Sequence, residues 1–298
     1  MPPFVHLHVH SQYSLLDGQA SVSALVDKAM NDGMPGIALT DHGNMYGIKE
    51  FFNYVNKKNG KALDKAKAAL AAARESGDEK AVAEAEAALT YAKEHSFKPI
   101  FGCEMYVAQE DLHTHVDKRD IGRHLIVLAK NATGYHNLVK LVSKAWTEGF
   151  YMHPRTDKHE IEKHREGLII ASACLGGEIP QLLMNGRDEE AEAAVAWWKN
   201  LMGEDYYIEL QRHKATVVNA AHDTYEKQRA IEPKLIALAR KYDIKLIATN
   251  DVHFVDEDDA EAHDRLICLS TNKFVTDQDR MHYTKQEWLK TSAEMQAL

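Results

Sequence analysis

Imidazoles and carboxylates crowd the opening of this chain. The stretch His6 to Gly18, HLHVHSQYSLLDG, carries His6, His8, His10 and Asp17. Val5, Leu7 and Val9 alternate with the histidines, the period-two pattern of a β-strand. Alternation sets His6, His8 and His10 on one face, with His8 and His10 roughly 6–7 Å apart. That separation suits one metal ion or two adjacent ones. Ser11–Gly18 reads as a loop able to bring the Asp17 carboxylate back over the same spot. A surface strand of solvated histidines would show the same alternation, so the metal reading needs further ligands.

The chain supplies them at regular places. Thr40-Asp41-His42-Gly43 follows an apolar run, and Gly102-Cys103-Glu104 sits in another. Cys174 follows Leu168–Ala173, and Asn250-Asp251-Val252-His253 follows Ile244–Thr249. Ligand residue types at strand ends are the pattern of a barrel that collects its active site at one mouth.

The elements that must position these residues alternate in kind. Strands are expected at Phe4–His10, Gly36–Thr40, Lys98–Val107, His124–Lys130, Gly167–Ala173, Tyr206–Gln211 and Ile244–Asn250. Between them, helices are expected from Ser21, from near Tyr46 through Val55, over Tyr135–Trp146 and Asp188–Met202, and through Leu235–Lys241. Strand-helix alternation implies βα units and a mostly parallel sheet. Lys57–Ser96 reads differently. It is rich in Ala, Lys and Glu, and helices over Lys61–Arg74 and Glu79–His95 flank Ser76-Gly77-Asp78. Gly77 suits a C-terminal cap and Asp78 an N-cap. The thin apolar stripe of Leu63, Leu70, Val82 and Leu89 makes this a projecting αα-hairpin, a surface decoration or a docking arm.

At 298 residues and 45% hydrophobic content the chain can form one large α/β domain. A net charge of −9 argues against a self-sufficient nucleic-acid binder. There is no apolar run long enough to span a membrane and no secretory pattern at the N-terminus. Cys103, Cys174 and Cys268 are few, odd in number and far apart, which favours a reducing cytoplasm over a disulfide framework.

Taken in order, HLHVHS, TDHGN, GCE, HLIVLAKN, ACLGGEI and TNDVHF resemble the PHP domain at the N-terminus of bacterial replicative DNA polymerase III alpha subunits. SLLDG, AKNATGYHNLVKLVSKA and YYIELQRH fit that family too, and the resemblance covers nearly the whole chain. It implies an α/β fold, a distorted (βα)7 barrel of PHP/TIM-like kind, with residues 57–96 as an inserted helical hairpin. Residues 1–270 would form the PHP domain, and 271–298 the start of a linker to an absent polymerase body. The resemblance carries nine metal-ligand positions onto His8, His10, Asp17, His42, Glu104, His124, Cys174, Asp251 and His253. His124 sits awkwardly, because it opens a strand whereas the other ligands lie at strand ends.

Around these, His6 is expected to hydrogen-bond or pack behind the ligands. Asp41 would orient His42 or cap the next helix, and Cys103, alternating with Glu104, faces the core. Arg212 in ELQRH could contact a substrate phosphate or form a rim salt bridge. His113, His115, His153, His159 and His164 lie in polar stretches and are left outside the site.

Five imidazoles, three carboxylates and one thiol are too many for one tetrahedral zinc. They suit two or three divalent ions, Zn, Mn or Fe. A bridging water there would lose its proton near neutral pH, and that metal-bound hydroxide, rather than any one side chain, would attack phosphorus. The resemblance implies phosphodiester hydrolysis at DNA 3′ ends, a proofreading-type 3′–5′ exonuclease, with no nucleotide polymerisation by this chain. Its partners would be the rest of the polymerase chain, a separate exonuclease subunit and the replisome. The alternatives are a metal-stapled structural or docking domain and a stand-alone PHP phosphatase acting on a small molecule, such as a histidinol phosphatase. An amidohydrolase also opens with HxH but is not expected to carry TDH and DxH at these later strand ends.

Overall fold

The computed structural model describes residues 3–114 and 120–298. The strands, in chain order, are β1 (Gly36–Leu39), β2 (Lys98–Val107), β3 (Arg123–Ala129), β4 (Phe150–Tyr151), β5 (His153–Thr156), β6 (Leu168–Ala171), β7 (Tyr206–Leu210) and β8 (Lys245–Ala248). Along the sheet β1 pairs with β2, β2 with β3, β3 with β6, β6 with β7 and β7 with β8. The opening segment closes the ring. Ala38 and Thr40 donate their backbone N–H groups to the His6 and Val9 carbonyls on one side. On the other, His10 donates to the Val252 carbonyl at 2.7 Å and Val252 to that of His8 at 3.1 Å. Seven staves result, the count expected from the sequence. The opening stave is held mainly by these few bonds, with one isolated bridge, Val9 to Val252, where a regular strand was expected.

One stave runs backwards. β3 is antiparallel to both β2 and β6, with His124 beside Tyr106 and Ile126 beside Ala171. The start of β3 therefore lies at the same mouth as the ends of its neighbours, which removes the difficulty with His124. β4 and β5 form a small hairpin that extends β2 through Tyr106–Arg155 and Val107–Thr156.

Inside the ring every stave adds to one apolar plug. Ala38, Ile126, Leu128, Ala171 and Ala173 are buried there, with Leu7, Ile100, Ile169, Tyr207 and Ile247 packed against them. The β1 and β6 sequences, GIAL and LIIA, are apolar on both faces because helices cover the outside. The helix Val22–Asn31 starts at Ser21, whose hydroxyl accepts from the Ala24 N–H, and turns Leu25, Val26 and Ala29 inward. Ala132–Thr147, Asp188–Met202 and Asp223–Lys241 bury Leu138, Leu141, Val195, Trp198 and Leu235 in the larger core.

Two expectations need correction. The two helices expected between Tyr46 and Arg74 are one helix, Ile48–Ser76, in which Gly60 is carried through. It ends at Gly77 with φ 72°, and Asp78 caps Glu79–Glu94 as expected. The hairpin so formed buries only Leu70 in its outer part. Asn59 pins its base, giving an N–H to the Phe97 carbonyl at 3.0 Å and accepting the Phe97 N–H at 3.1 Å.

The stretch 271–298, expected to begin a linker, packs on the barrel from Tyr283 onward. Thr284, Glu287, Leu289 and Lys290 are buried. The Glu287 carbonyl accepts from His253, the Phe254 carbonyl accepts from Leu289, and Asn250 donates to the Gln286 and Trp288 carbonyls. No described helix is long and apolar enough to cross a membrane.

Excision of residues 61–95, with a short turn joining Gly60 to Ser96, should leave the barrel folded, because Asn59 and Phe97 are kept. Thermal melting should move by a few degrees at most, and metal uptake should match that of the whole chain. A folded deletion variant with diminished metal content would make the hairpin part of the site.

Candidate metal centre

Glu104 is the meeting point. Its carboxylate leaves the mouth end of β2 almost fully buried. It lies 3.2 Å from His8, 3.5 Å from His10, 2.7 Å from His42 and 2.9 Å from His124. Asp251 forms the second node, 3.0 Å from His8, 3.3 Å from His10 and 3.7 Å from His253. Asp17 forms the third, 2.8 Å from His42 and 3.4 Å from His253. The Cys174 sulfur sits 3.8 Å from Glu104 and 3.6 Å from His124. All nine residues expected as ligands therefore fall in one connected cluster.

The backbone bends hard to achieve this. Leu16, Ala173 and Asp251 take positive φ values of 60°, 63° and 46°. Each is a ligand candidate or directly precedes one, and such conformations cost on the order of 1–3 kcal/mol in a non-glycine residue. The Ser11–Gly18 loop curls so tightly that a Cβ on Gly18 would lie 2.0 Å from the Ser11 carbonyl oxygen. That curl carries Asp17 back over the histidines.

Hydrogen bonds behind the cluster set the tautomers. His8 Nδ1 faces the Glu209 carboxylate at 3.1 Å, and His253 Nδ1 faces the Asp251 carbonyl at 2.7 Å. His10 Nδ1 lies 2.9 Å from the Ser14 hydroxyl, which itself donates to Asp41 at 2.8 Å. In each case Nδ1–H donates outward, and Nε2 is left facing the cluster. Five atoms there have no hydrogen-bond partner: His8 Nε2, His10 Nε2, His42 Nδ1, Glu104 Oε2 and Asp251 Oδ1. Each lies 2.7–3.5 Å from another of the five.

Electrostatics follow from the crowding. Burial opposes charge on Glu104, but His124, His8 and His42 outweigh it and hold the carboxyl well below its ordinary range. Burial likewise opposes charge on Asp17 and Asp251, and neighbouring imidazoles win in both. His8 is desolvated, yet Asp251, Glu104 and Glu209 hold it well above 6.5. His253 rises to about 9 against its own burial, chiefly through Asp17. His10, buried and repelled by His42 and His253, falls to about 3. Without cations of another kind, protonated imidazoles balance the carboxylates.

Other expected residues lie elsewhere. Asp41 stands outside the cluster, as expected, but steadies Ser11 and Ser14 rather than His42. Its burial raises its pKa against those bonds. His6 turns away, facing the Lys290 carbonyl at 2.8 Å, and burial lowers it to about 4. It is a packing residue, and the shared face expected for the three histidines holds only for His8 and His10. Arg212 is committed to Glu232 by two contacts of 2.7 and 3.0 Å and also donates to the Leu298 carbonyl. It makes a rim salt bridge. Cys103 is buried and donates to the Asp41 carbonyl. His153 is no solvated loop residue, since its ring stacks on Tyr106 at 4.5 Å. His115 lies outside the described residues.

Three residues were missed. Glu209, which orients His8, ends the YYIEL strand and could have been found by carrying inward alternation to the mouth. Ser14 sits inside the SLLDG loop. Tyr283, whose hydroxyl donates to Asp17 at 2.8 Å, comes from the misread tail and had no signal.

Gly176 shows how tightly the site is fitted. Its carbonyl accepts the His124 N–H at 3.0 Å, and a Cβ here would lie 2.9 Å from His124 Nδ1. Gly176→Ala should push the His124 ring aside. The expected result is a folded protein whose divalent-metal content per chain, measured by elemental analysis, is lower than that of the wild type.

The family model described as the PHP domain matches residues 6–213. Among curated relatives, DNA polymerase III subunit alpha of Treponema pallidum is 40% identical over 300 residues, covering 99% of this chain and 22% of its own length. The same subunit of Borreliella burgdorferi is 37% identical over 295 residues, covering 98% of this chain and 22% of its own. The chain thus spans about a fifth of the length of the curated relatives it matches. A solved structure of an amidohydrolase from Chromobacterium violaceum aligns with 13% identity and a TM-score of 0.42, over 85% of this chain and 89% of that one. With a family match running from the opening imidazole stretch to His213, the chain belongs to the PHP domain family.

Proposed function

We propose that this chain is the N-terminal PHP domain of a replicative polymerase and hydrolyses phosphodiesters at a centre of two or three divalent ions. His8, His10, Asp17, His42, Glu104, His124, Cys174, Asp251 and His253 would hold the ions. The observation that carries this reading is the set of five buried atoms on His8, His10, His42, Glu104 and Asp251 that face one another with no hydrogen-bond partner outside the cluster. Buried polar atoms with no partner outside their own group are rare in native proteins, and here they converge on one spot, 2.7–3.5 Å from one another. Three overlapping groups form within the cluster: His8, His10 and Glu104; His42, Glu104 and His124; and His10, His42 and His253. That overlap supports more than one ion.

Bound ions would supply Lewis acidity at phosphate oxygens and a nucleophile at neutral pH. The chain's own residues do the rest. Glu209 and Ser14 fix the His8 and His10 rings. Tyr283 holds Asp17 by donating its hydroxyl to the carboxylate at the mouth. The plug beneath the cluster keeps water out from below. The substrate would be a DNA 3′ end, the activity a proofreading-type 3′–5′ exonuclease, and the partners the polymerase body, an exonuclease subunit and the replisome. The three cysteines, none in a disulfide, fit a reducing cytoplasm. The main competing reading is a metal-stapled docking domain, favoured by the net charge of −9. Domain limits at 1–270 would extend to include the packed tail.

Protein purified without chelator and reconstituted with Zn²⁺ or Mn²⁺ should hold at least two ions per chain by elemental analysis. Uptake should also release protons. His8, His42 and His253 are protonated at pH 7 in the metal-free chain because their pKa values are raised. Each must be neutral to ligate. Apparent affinity should therefore climb as pH rises toward about 9, the value for His253. Calorimetry in buffers of different ionisation heat measures the released protons, and zero release would contradict the ligand assignment.

Hydrolysis of bis-p-nitrophenyl phosphate and short single-stranded DNA should require metal. His8→Ala and Asp251→Ala should each lower the rate by orders of magnitude in a folded protein, and Asp41→Ala should lower it less. A loaded wild type no faster than His8→Ala would leave the docking reading in its place.

A further inference from the structure

The mouth of the centre opens into a cavity of about 640 Å³. One wall holds Asp17, His42 and His124. The cavity lining also includes an apolar group, Tyr46, Trp146, Phe150 and Met152. These four are 53%, 39%, 54% and 70% exposed, an unusual concentration of large apolar side chains facing water. Trp146 and Phe150 stack with centroids 5.5 Å apart and planes 24° from parallel, and Tyr46 lies 6.0 Å from Trp146. The indole is fixed. Its N–H donates to the Gly43 carbonyl at 2.8 Å, and Gly43 adjoins His42. None of the described residues lining the cavity is Lys or Arg.

We propose that Trp146 and Phe150, flanked by Tyr46, form a stacking platform for the terminal nucleobase of a single-stranded DNA 3′ end. This rests on the hydrolytic reading of the centre and adds what holds the substrate there. A cavity of this volume is of small-ligand size, with room for a terminal nucleotide. Base-aromatic stacking is tolerant of sequence, because every base offers a π-face. It also acts without cations, which suits an acidic chain in which no described residue lining the cavity is Lys or Arg. The aromatic group lines the same cavity as Asp17, His42 and His124, so a base on the indole keeps its ester phosphate within that cavity. An apolar wall meant for a protein partner would have no reason to share its cavity with the metal-ligand cluster.

The test is equilibrium binding of a 5′-fluorescein tetrathymidylate by anisotropy. It is compared with the same oligonucleotide carrying an abasic sugar at its 3′ end. Both are titrated in EDTA, so no turnover intervenes. The wild type should prefer the base-bearing strand by roughly 5- to 150-fold, the range spanned by stacking on aromatic side chains. Phe150→Ala and Trp146→Ala should erase most of that preference and leave abasic binding alone. Phe150 gives the cleaner variant, since its exposed ring anchors no loop, and melting temperature and metal uptake check both folds. Equal wild-type affinity for the two strands overturns the platform, as does an unchanged preference in Phe150→Ala, and either result makes the patch a protein-facing surface. The readout needs neither metal nor hydrolysis. A fully loaded but inactive wild type would therefore sink the hydrolytic proposal while leaving the base preference intact.

Discussion

A carboxylate buried among four imidazoles is the constraint on which this domain turns. Desolvating Glu104 costs several kcal/mol unless charge is returned to it, and His8, His42 and His124 return it from three different staves. Each of those staves must end at the right height for that to happen. The reversed β3 is the clearest case, because only an antiparallel stave can deliver its first residues to the mouth. The bent backbone at Leu16, Ala173 and Asp251 is a second case, with conformations that persist because several bonds over-determine them.

Behind the cluster the polar groups are arranged as carefully as the ligands. Glu209 accepts from the Ala173 N–H and the Thr249 hydroxyl while it faces His8. It therefore ties β7, the end of β6 and the end of β8 to one imidazole. Asp41 does the same for the opening loop, gathering Ser11 and Ser14. Such groups fix the ligand side chains through bonds to the protein itself. Farther off, Arg155 is fully buried and paired with Asp120 at 3.0 Å, which anchors the β4–β5 flap that carries Phe150.

Much of this was legible in the residues. β2 and the helix Asp188–Met202 have the limits expected, because long apolar periodicity fixes such elements. His8, His10, Glu104 and Asp251 were found from ligand types at the ends of apolar runs. The direction of β3 was not legible, since apolar strands read alike whichever way they run. Tyr283 and the packed tail were hidden for a different reason. Thr284–Lys290 buries Gln286, Glu287 and Lys290 by hydrogen bonds, so it carries no apolar period to detect. The continuous helix Ile48–Ser76 was divided where the composition turns rich in Ala, Lys and Glu, because a change of surface composition along a helix does not end it.

The closure of the ring has a consequence for how the chain is made. The first stave is bound to Val252 on one side, and His6 contacts Lys290, 284 residues further along. During synthesis from the N-terminus, the opening segment therefore waits beside β1 without its second neighbour until almost all of the domain has left the ribosome. Contacts so distant in sequence make for slow folding and leave partly paired strands exposed meanwhile. The three histidines of that segment make it a poorer template for pairing between chains during the wait than an all-apolar strand would be. The same side chains that later gather at the mouth would thus first keep a nascent edge soluble.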